Sequence, residues 1–167
     1  MAHSFLKERL VLRPLYPDDD DQMGYLIQSV LEEMNAPKTG TAYADPHLFH
    51  LSDYYAHSGR MYYVIADDHT VYGGGGFGDL PGAETSVCEI QKMYFSQSLR
   101  GLGWGERLLR FIMDEAAKSG YKRAYIETLE SMKIAQNLYR KIGFKKLEGP
   151  LGATGHSSCP IHLIIDL

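Results

Sequence analysis

The stretch Met93–Leu109, MYFSQSLRGLGWGERLL, decides how this chain is read. Aromatic and apolar residues lead into Gly101, Gly103 and Gly105, and a helical pattern starts directly afterwards. A strand that passes through a glycine turn into a helix is a ready way to build an anion site. Successive backbone N–H groups of the turn point inward. The helix adds its unpaired N–H groups and the positive end of its dipole. Glycine lets the backbone approach a ligand closely and take positive φ. Arg100 supplies a guanidinium whose planar fork suits phosphate oxygens. The pattern predicts a phosphate or pyrophosphate ligand, with a tight turn that holds nothing as the alternative. Two familiar loops do not fit. A P-loop ends in Gly-Lys-Ser or Gly-Lys-Thr, whereas Gly105 is followed by Glu106 and Arg107. A dinucleotide fingerprint counted from Gly101 needs glycine where Glu106 stands.

On the C-terminal side, Glu106 to Lys118 is read as a helix, with Leu108, Leu109, Ile112, Met113, Ala116 and Ala117 on one face and Gly120 as its stop. RAYIETL is a strand. Ser131 to Ile142 is a second helix, with Met132, Ala135, Leu138, Tyr139 and Ile142 inward and Gly143 ending it. FKKLE and CPIHLIID are closing strands around the loop GPLGATGHSS. On the N-terminal side, RMYYVIAD, TVYGGGGFGDL and SVCEIQKMYF read as three strands of an antiparallel meander. Leu10–Leu12 is a first strand with Pro14 at its exit. Asp18–Asp21 are read as the cap and acidic first turn of a helix carrying Met23, Leu26, Ile27, Val30, Leu31 and Met34. DPHLFHLSDYYAHSG is a second short helix, with Asp45 as cap and Pro46 in first position. A meander followed by strand–helix–strand–helix–strand–strand gives a mixed sheet with helices on both faces, an α/β or α+β layered fold in one domain over residues 1–167.

Bulk properties bound the function. A net charge of −4 argues against a nucleic-acid partner. No apolar stretch approaches the roughly 20 residues of a membrane span, and the first residues do not resemble a signal peptide, so a cytoplasmic protein is expected. Cys88 and Cys159 form no paired motif, which excludes zinc ribbons and redox pairs. His47 and His50 have no HExxH or cysteine partner, so no metal is expected.

The loop RGLGWG, Arg100–Gly105, matches the Q/R-x-x-G-x-G/A signature of the GNAT N-acetyltransferases. The resemblance runs on through YIETLESMKIAQNLYRKIGF, Tyr125–Phe144, which ends in the family's LYxKxGF pattern. It implies a mixed, mostly antiparallel sheet of about seven strands with four helices on its two faces. It also implies acetyl-coenzyme A as donor, with Arg100, Gly101, Leu102, Gly103, Trp104, Gly105 and Glu106 holding the pyrophosphate. The backbone of Met93, Tyr94 and Phe95 would pair with the pantetheine arm where a bulge splays two strands. Thr128 would bond the same arm. Met132 stands where the family commonly has asparagine, so Lys133, Gln136 or Asn137 is the substitute.

Further roles follow from the resemblance. Glu89 is the candidate general base. It lies with Gln91, Met93 and Phe95 on one strand face, barring a bulge. Cys88 points the other way. Tyr139 is the candidate general acid for the leaving thiolate. Tyr43, His50, Tyr54, Tyr55 and His156 would line the acceptor opening. The expected reaction is direct acetyl transfer to a small-molecule or peptide amine, by a monomer or homodimer. A non-catalytic acyl-coenzyme A sensor and a different phosphate-ligand binder are the alternatives.

Overall fold

The computed structural model describes residues 10–167. The stretch judged for a signal peptide, residues 1–9, lies outside them. Seven strands form one sheet in the order β1-β2-β3-β4-β5-β7-β6. They are β1 (Val11–Pro14), β2 (Met61–Ala66), β3 (Val71–Asp79), β4 (Val87–Phe95), β5 (Arg123–Thr128), β6 (Lys145–Lys146) and β7 (Ile161–Asp166). Every neighbouring pair is antiparallel except β4 with β5. Four α-helices cover the sheet: α1 (Asp20–Glu33), α2 (Leu51–Tyr55), α3 (Trp104–Lys118) and α4 (Lys133–Ile142).

Alternation along the strands sorts side chains into two cores. On one face Met23, Ile27 and Leu31 of α1 and Leu51 of α2 pack on Tyr62, Val64 and Ala66. On the other, Leu108, Leu109 and Ile112 of α3 and Tyr139 of α4 pack on Tyr63, Ile65, Phe77 and Ile90. Among the described residues no helix is long and apolar enough to cross a membrane.

Two local expectations change. Asp19 stands at the N-cap of α1, but its side chain makes no capping hydrogen bond there; Asp19 and Asp20 serve tertiary partners instead. Asp19 receives a two-armed hydrogen bond from Arg13 at 2.6 and 2.9 Å and ties β1 to the start of α1. Asp20 accepts from the backbone N–H and hydroxyl of Ser52 at 2.8 and 2.6 Å, satisfying a free amide in the first turn of α2. The second helix is also shorter than its pattern suggested. Asp45–His50 are turns, and His50, not Asp45, precedes α2. Asp45 is drawn away by tertiary partners described below.

The glycine run Gly73–Gly76 lies inside β3 because neighbouring rings occupy the space of its missing side chains. A methyl group at Gly73 would stand 2.6 Å from the Phe95 ring, and one at Gly76 would stand 2.3 Å from the Met61 carbonyl and 2.7 Å from the Tyr62 ring. Gly76→Ala is therefore expected to lower stability by about 3 kcal/mol, read from urea denaturation, with Gly149→Ala, where a methyl group would meet open space, as the control that changes little.

Candidate active site

The site begins with an irregularity in β4. Gly74 pairs with Tyr94, but Gly76 pairs with Gln91, so Lys92 and Met93 together oppose the single residue Gly75. This is a β-bulge, and it bends the strand that carries it. Lys92 adopts φ +49°, and its carbonyl accepts a hydrogen bond of 2.7 Å from the Tyr62 hydroxyl. The bulge corrects one expected facing. Glu89 and Gln91 turn toward α2, where Tyr55 donates to Gln91, while Met93 and Phe95 join the opposite core with Ile90 and Cys88.

Beyond the bulge β4 leaves β5. Their parallel pairing is limited to Val87 with Arg123, Cys88 with Ala124 and Glu89 with Tyr125. A crevice opens where the strands part. Met93, Tyr94, Thr128, Met132 and Tyr139 line it, together with Glu127 and Cys159. The Thr128 hydroxyl donates to the Met132 sulfur at 3.6 Å. Gln136 and Asn137 are engaged elsewhere, on the carbonyls of Leu129 and Glu130 and on Arg140. Burial raises the Tyr139 hydroxyl above its ordinary pKa, so it remains protonated at neutral pH. Burial also pushes the Cys159 thiol up to about 12, which leaves it a poor nucleophile.

The glycine turn precedes α3. Gly101 and Gly103 have φ of +74° and +83°, and no atom lies within 4 Å of where their side chains would begin. The first helical bond runs from Arg107 N–H to the Gly103 carbonyl. The N–H groups of Gly101, Leu102, Gly103, Trp104, Gly105 and Glu106 have no backbone acceptor among the described residues. Six consecutive free donors at a helix N-terminus are an anion cradle. Trp104 is buried beneath the Arg107 guanidinium, and the Glu106 carboxylate bridges Arg110 and Lys141. Arg100 differs from expectation. Its fork grips Glu33, and its Nε donates to the Phe95 carbonyl at 3.0 Å, so its charge is already partnered.

On the α2 side of the bulge lies a network of charged groups. Glu89 is buried and accepts 2.7 Å from Gln91 Nε2. Burial raises its pKa; the Gln91 hydrogen bond and the charges of His156 and Lys92 oppose the rise, and Glu127 adds to it. Ligating atoms of Glu89, Glu127 and His156 all lie within 4.8 Å of one another, close enough to share an ion. His156 Nε2 meets Asp45 Oδ1 at 2.9 Å, and Lys92 Nζ meets Asp45 Oδ2 at 2.6 Å. Burial alone would raise Asp45, yet His156 and Lys92 outweigh it and lower its pKa to about 2. His156 is lowered by burial but raised more by Asp45 and by the charge of Glu89, with a net rise.

Among the tyrosines expected at the acceptor opening, Tyr54 packs beside Lys92 and under Arg60, and Tyr55 steadies Gln91. Tyr43 instead turns its hydroxyl to Glu32 at 2.7 Å, and His50 lies at the start of α2. Sequence reading missed Asp45, Lys92 and Glu127. Glu127 carried one usable signal, a charged residue two places after Tyr125 and directly after the buried Ile126 in the strand.

Residues 27–144 match the Acetyltransferase (GNAT) family, and the chain belongs to it. It is 37% identical over 94% of its length to the uncharacterized N-acetyltransferase YjgM of Escherichia coli, covering 95% of that protein. A Schizosaccharomyces pombe uncharacterized N-acetyltransferase is 29% identical over 79% of this chain and 80% of its own. Among solved structures, a GNAT-family acetyltransferase from Staphylococcus aureus superposes with a TM-score of 0.80 at 18% identity, over 95% of this chain and 99% of the other. A putative acetyltransferase from Salmonella typhimurium, solved with acetyl-CoA, gives 0.76 at 17% identity, over 95% and 94%. These structural matches show the same fold.

The Asp45 network makes a prediction. Its carboxyl is lowered on folding, so its contribution is present above about pH 4 and is lost as pH falls toward about 2. Asp45→Asn is expected to cost about 1–2 kcal/mol at pH 7, allowing for partial solvent screening, and much less near pH 2. Urea denaturation of both proteins across that range checks it.

Proposed function

We propose that the chain is an N-acetyltransferase that moves an acetyl group from acetyl-coenzyme A to a primary amine by direct attack. One observation carries the reading: six acceptor-free amides at the start of α3 stand beside a crevice opened by the bulge in β4. The amides of Gly101–Glu106 suit the donor's pyrophosphate, with Arg100 moving to it only by leaving Glu33. An exposed ion pair of that kind contributes little, so the exchange is inexpensive. The backbone of Met93, Tyr94 and Phe95 would take the pantetheine arm as an added strand, with Thr128 and Met132 along its other side. The names of two solved relatives support the ligand: the Salmonella protein holds acetyl-CoA, and N-acetylglutamate synthase from Neisseria gonorrhoeae, whose length this domain covers by 35%, holds coenzyme A and N-acetyl-glutamate.

In this reading the buried carboxylates beside the bulge take a proton from the acceptor ammonium. The neutral nitrogen forms the C–N bond as the C–S bond breaks. Tyr139 gives its proton to the departing thiolate. Glu89 suits the base because its raised pKa brings it nearer neutrality. Tyr54 and His156 border the acceptor's approach, and Tyr43 stands further out. The chain serves as one such domain, and the buried, unreactive Cys159 argues against an acetyl-cysteine intermediate.

Thiol release from acetyl-coenzyme A with a panel of alkylamines, amino acids, polyamines and lysine peptides tests this. Turnover is expected with at least one primary amine. Tyr139→Phe should lower kcat by about 100-fold with the donor KM little changed. Coenzyme binding without release on any acceptor would contradict the reading. The acid limb of kcat/KM should lie above the ordinary glutamate value of about 4.3, because Glu89 must be ionised and its pKa is raised. A limb at or below that value would exclude Glu89 as the base.

A further inference from the structure

We propose that Glu127 receives the acceptor's ammonium group directly, with Glu89 closing the other side of a two-carboxylate clamp, so that the acceptor is an amine that arrives as a cation. The inference rests on the acetyl-transfer reading and deepens it. Of the two carboxylates, Glu127 lines the crevice together with Tyr94 and Tyr139, and Glu89 stands behind it in the protein. Both project from the strands at the point where they part, since Glu89 pairs with Tyr125 and Glu127 lies two residues further along β5.

The hydrogen bonding of the pair leaves a place for a cation. Glu127 accepts from the hydroxyls of Thr154 at 2.6 Å and Tyr125 at 2.7 Å. Glu89 accepts from the Gln91 amide. All three donors are neutral, so they orient the carboxylates without cancelling their charge. The nearest cations make their direct contacts with Asp45, through Lys92 Nζ and His156 Nε2, while a ring nitrogen of His156 stays within 4.8 Å of both carboxylates. His162 Nδ1 lies 3.7 Å from Glu127 but is hydrogen-bonded to the Tyr125 hydroxyl at 2.9 Å. Two like charges this close and this buried are unfavourable until a cation joins them. An ammonium group meets that need and presents three N–H donors.

The clamp also accounts for both protons that must leave the nitrogen. Glu89 takes the first, freeing the lone pair that forms the C–N bond. Glu127 takes the second from the acetylated nitrogen as the C–S bond breaks. Tyr139 protonates the thiolate and is reprotonated from Glu89, and Glu127 returns its proton to solvent. Charge and atoms balance: one ammonium and one thioester give one amide, one thiol and one released proton.

The test titrates the coenzyme A-loaded protein with n-butylammonium chloride and with n-butanol, followed by backbone amide NMR shifts. The ammonium is expected to bind at least 10-fold more tightly than the alcohol, with shifts at Glu89 and Glu127. Glu127→Gln should remove at least 10-fold of that affinity and leave coenzyme A affinity within twofold. Thr154→Val, which retains the charge, should keep the ammonium preference. Equal binding of the two probes to the unaltered protein overturns the clamp, whatever the fate of the variant. Stoichiometric zinc binding that Glu127→Gln abolishes also overturns it and makes the cluster a metal site. Absence of coenzyme A binding brings down the acetyl-transfer reading itself, and the clamp with it.

Discussion

The site depends on one extra residue in β4. The bulge at Lys92 and Met93 ends the pairing of β4 with β5 after Glu89, and the crevice exists because of it. A regular strand would continue the ladder into β5 and close the gap. It would also place Met93 and Phe95 on the Glu89 face, exposing core side chains to the charged network. Holding a lysine at φ +49° costs on the order of 1 kcal/mol. The surroundings impose it: Tyr62 binds the Lys92 carbonyl, and Asp45 binds its ammonium.

Around that bulge the protein separates two kinds of electrostatics. On the α3 side, unpaired amides and a helix dipole favour an anion. On the α2 side, Asp45 gathers Lys92 and His156, which leaves Glu89 and Glu127 as a pocket of negative charge. Such a division suits the proposed transfer, whose donor is polyanionic and whose proposed acceptor is cationic. The crevice joins the two regions through the sheet, with side chains of both cores in its wall.

Much of this was legible in the sequence because it depends on local rules. The glycine turn, the faces of α3 and α4 and the stops at Gly120 and Gly143 follow from periodicity and from glycine at positive φ. Glu89, Tyr139, Thr128 and Met132 were singled out because the resemblance ties them to that turn; Tyr139, Thr128 and Met132 line the crevice, and Glu89 is not part of its lining. The bulge was expected only from the resemblance, and its position at Lys92 and Met93 was not legible in residue order. Asp45 was misread for a related reason. An aspartate before proline looks like a helix cap, and nothing local reveals that His156, 111 residues away, captures it. Arg100 has the converse history: its motif predicts a phosphate ligand, but folding brings Glu33 beside it. Glu127 is an ordinary charge in a strand that also carries Arg123, and only the parallel register with β4 puts it next to Glu89.

The central claim is that the free amides before α3 are a diphosphate cradle serving the gap beside it. Hydrogen exchange of the backbone amides of Gly101–Glu106, measured by NMR with and without saturating acetyl-coenzyme A, tests it most directly. Fast exchange without the donor and strong protection with it, extending to Met93–Phe95 in the parted strand, is the predicted result. Unchanged exchange at those residues under saturating donor would contradict the account.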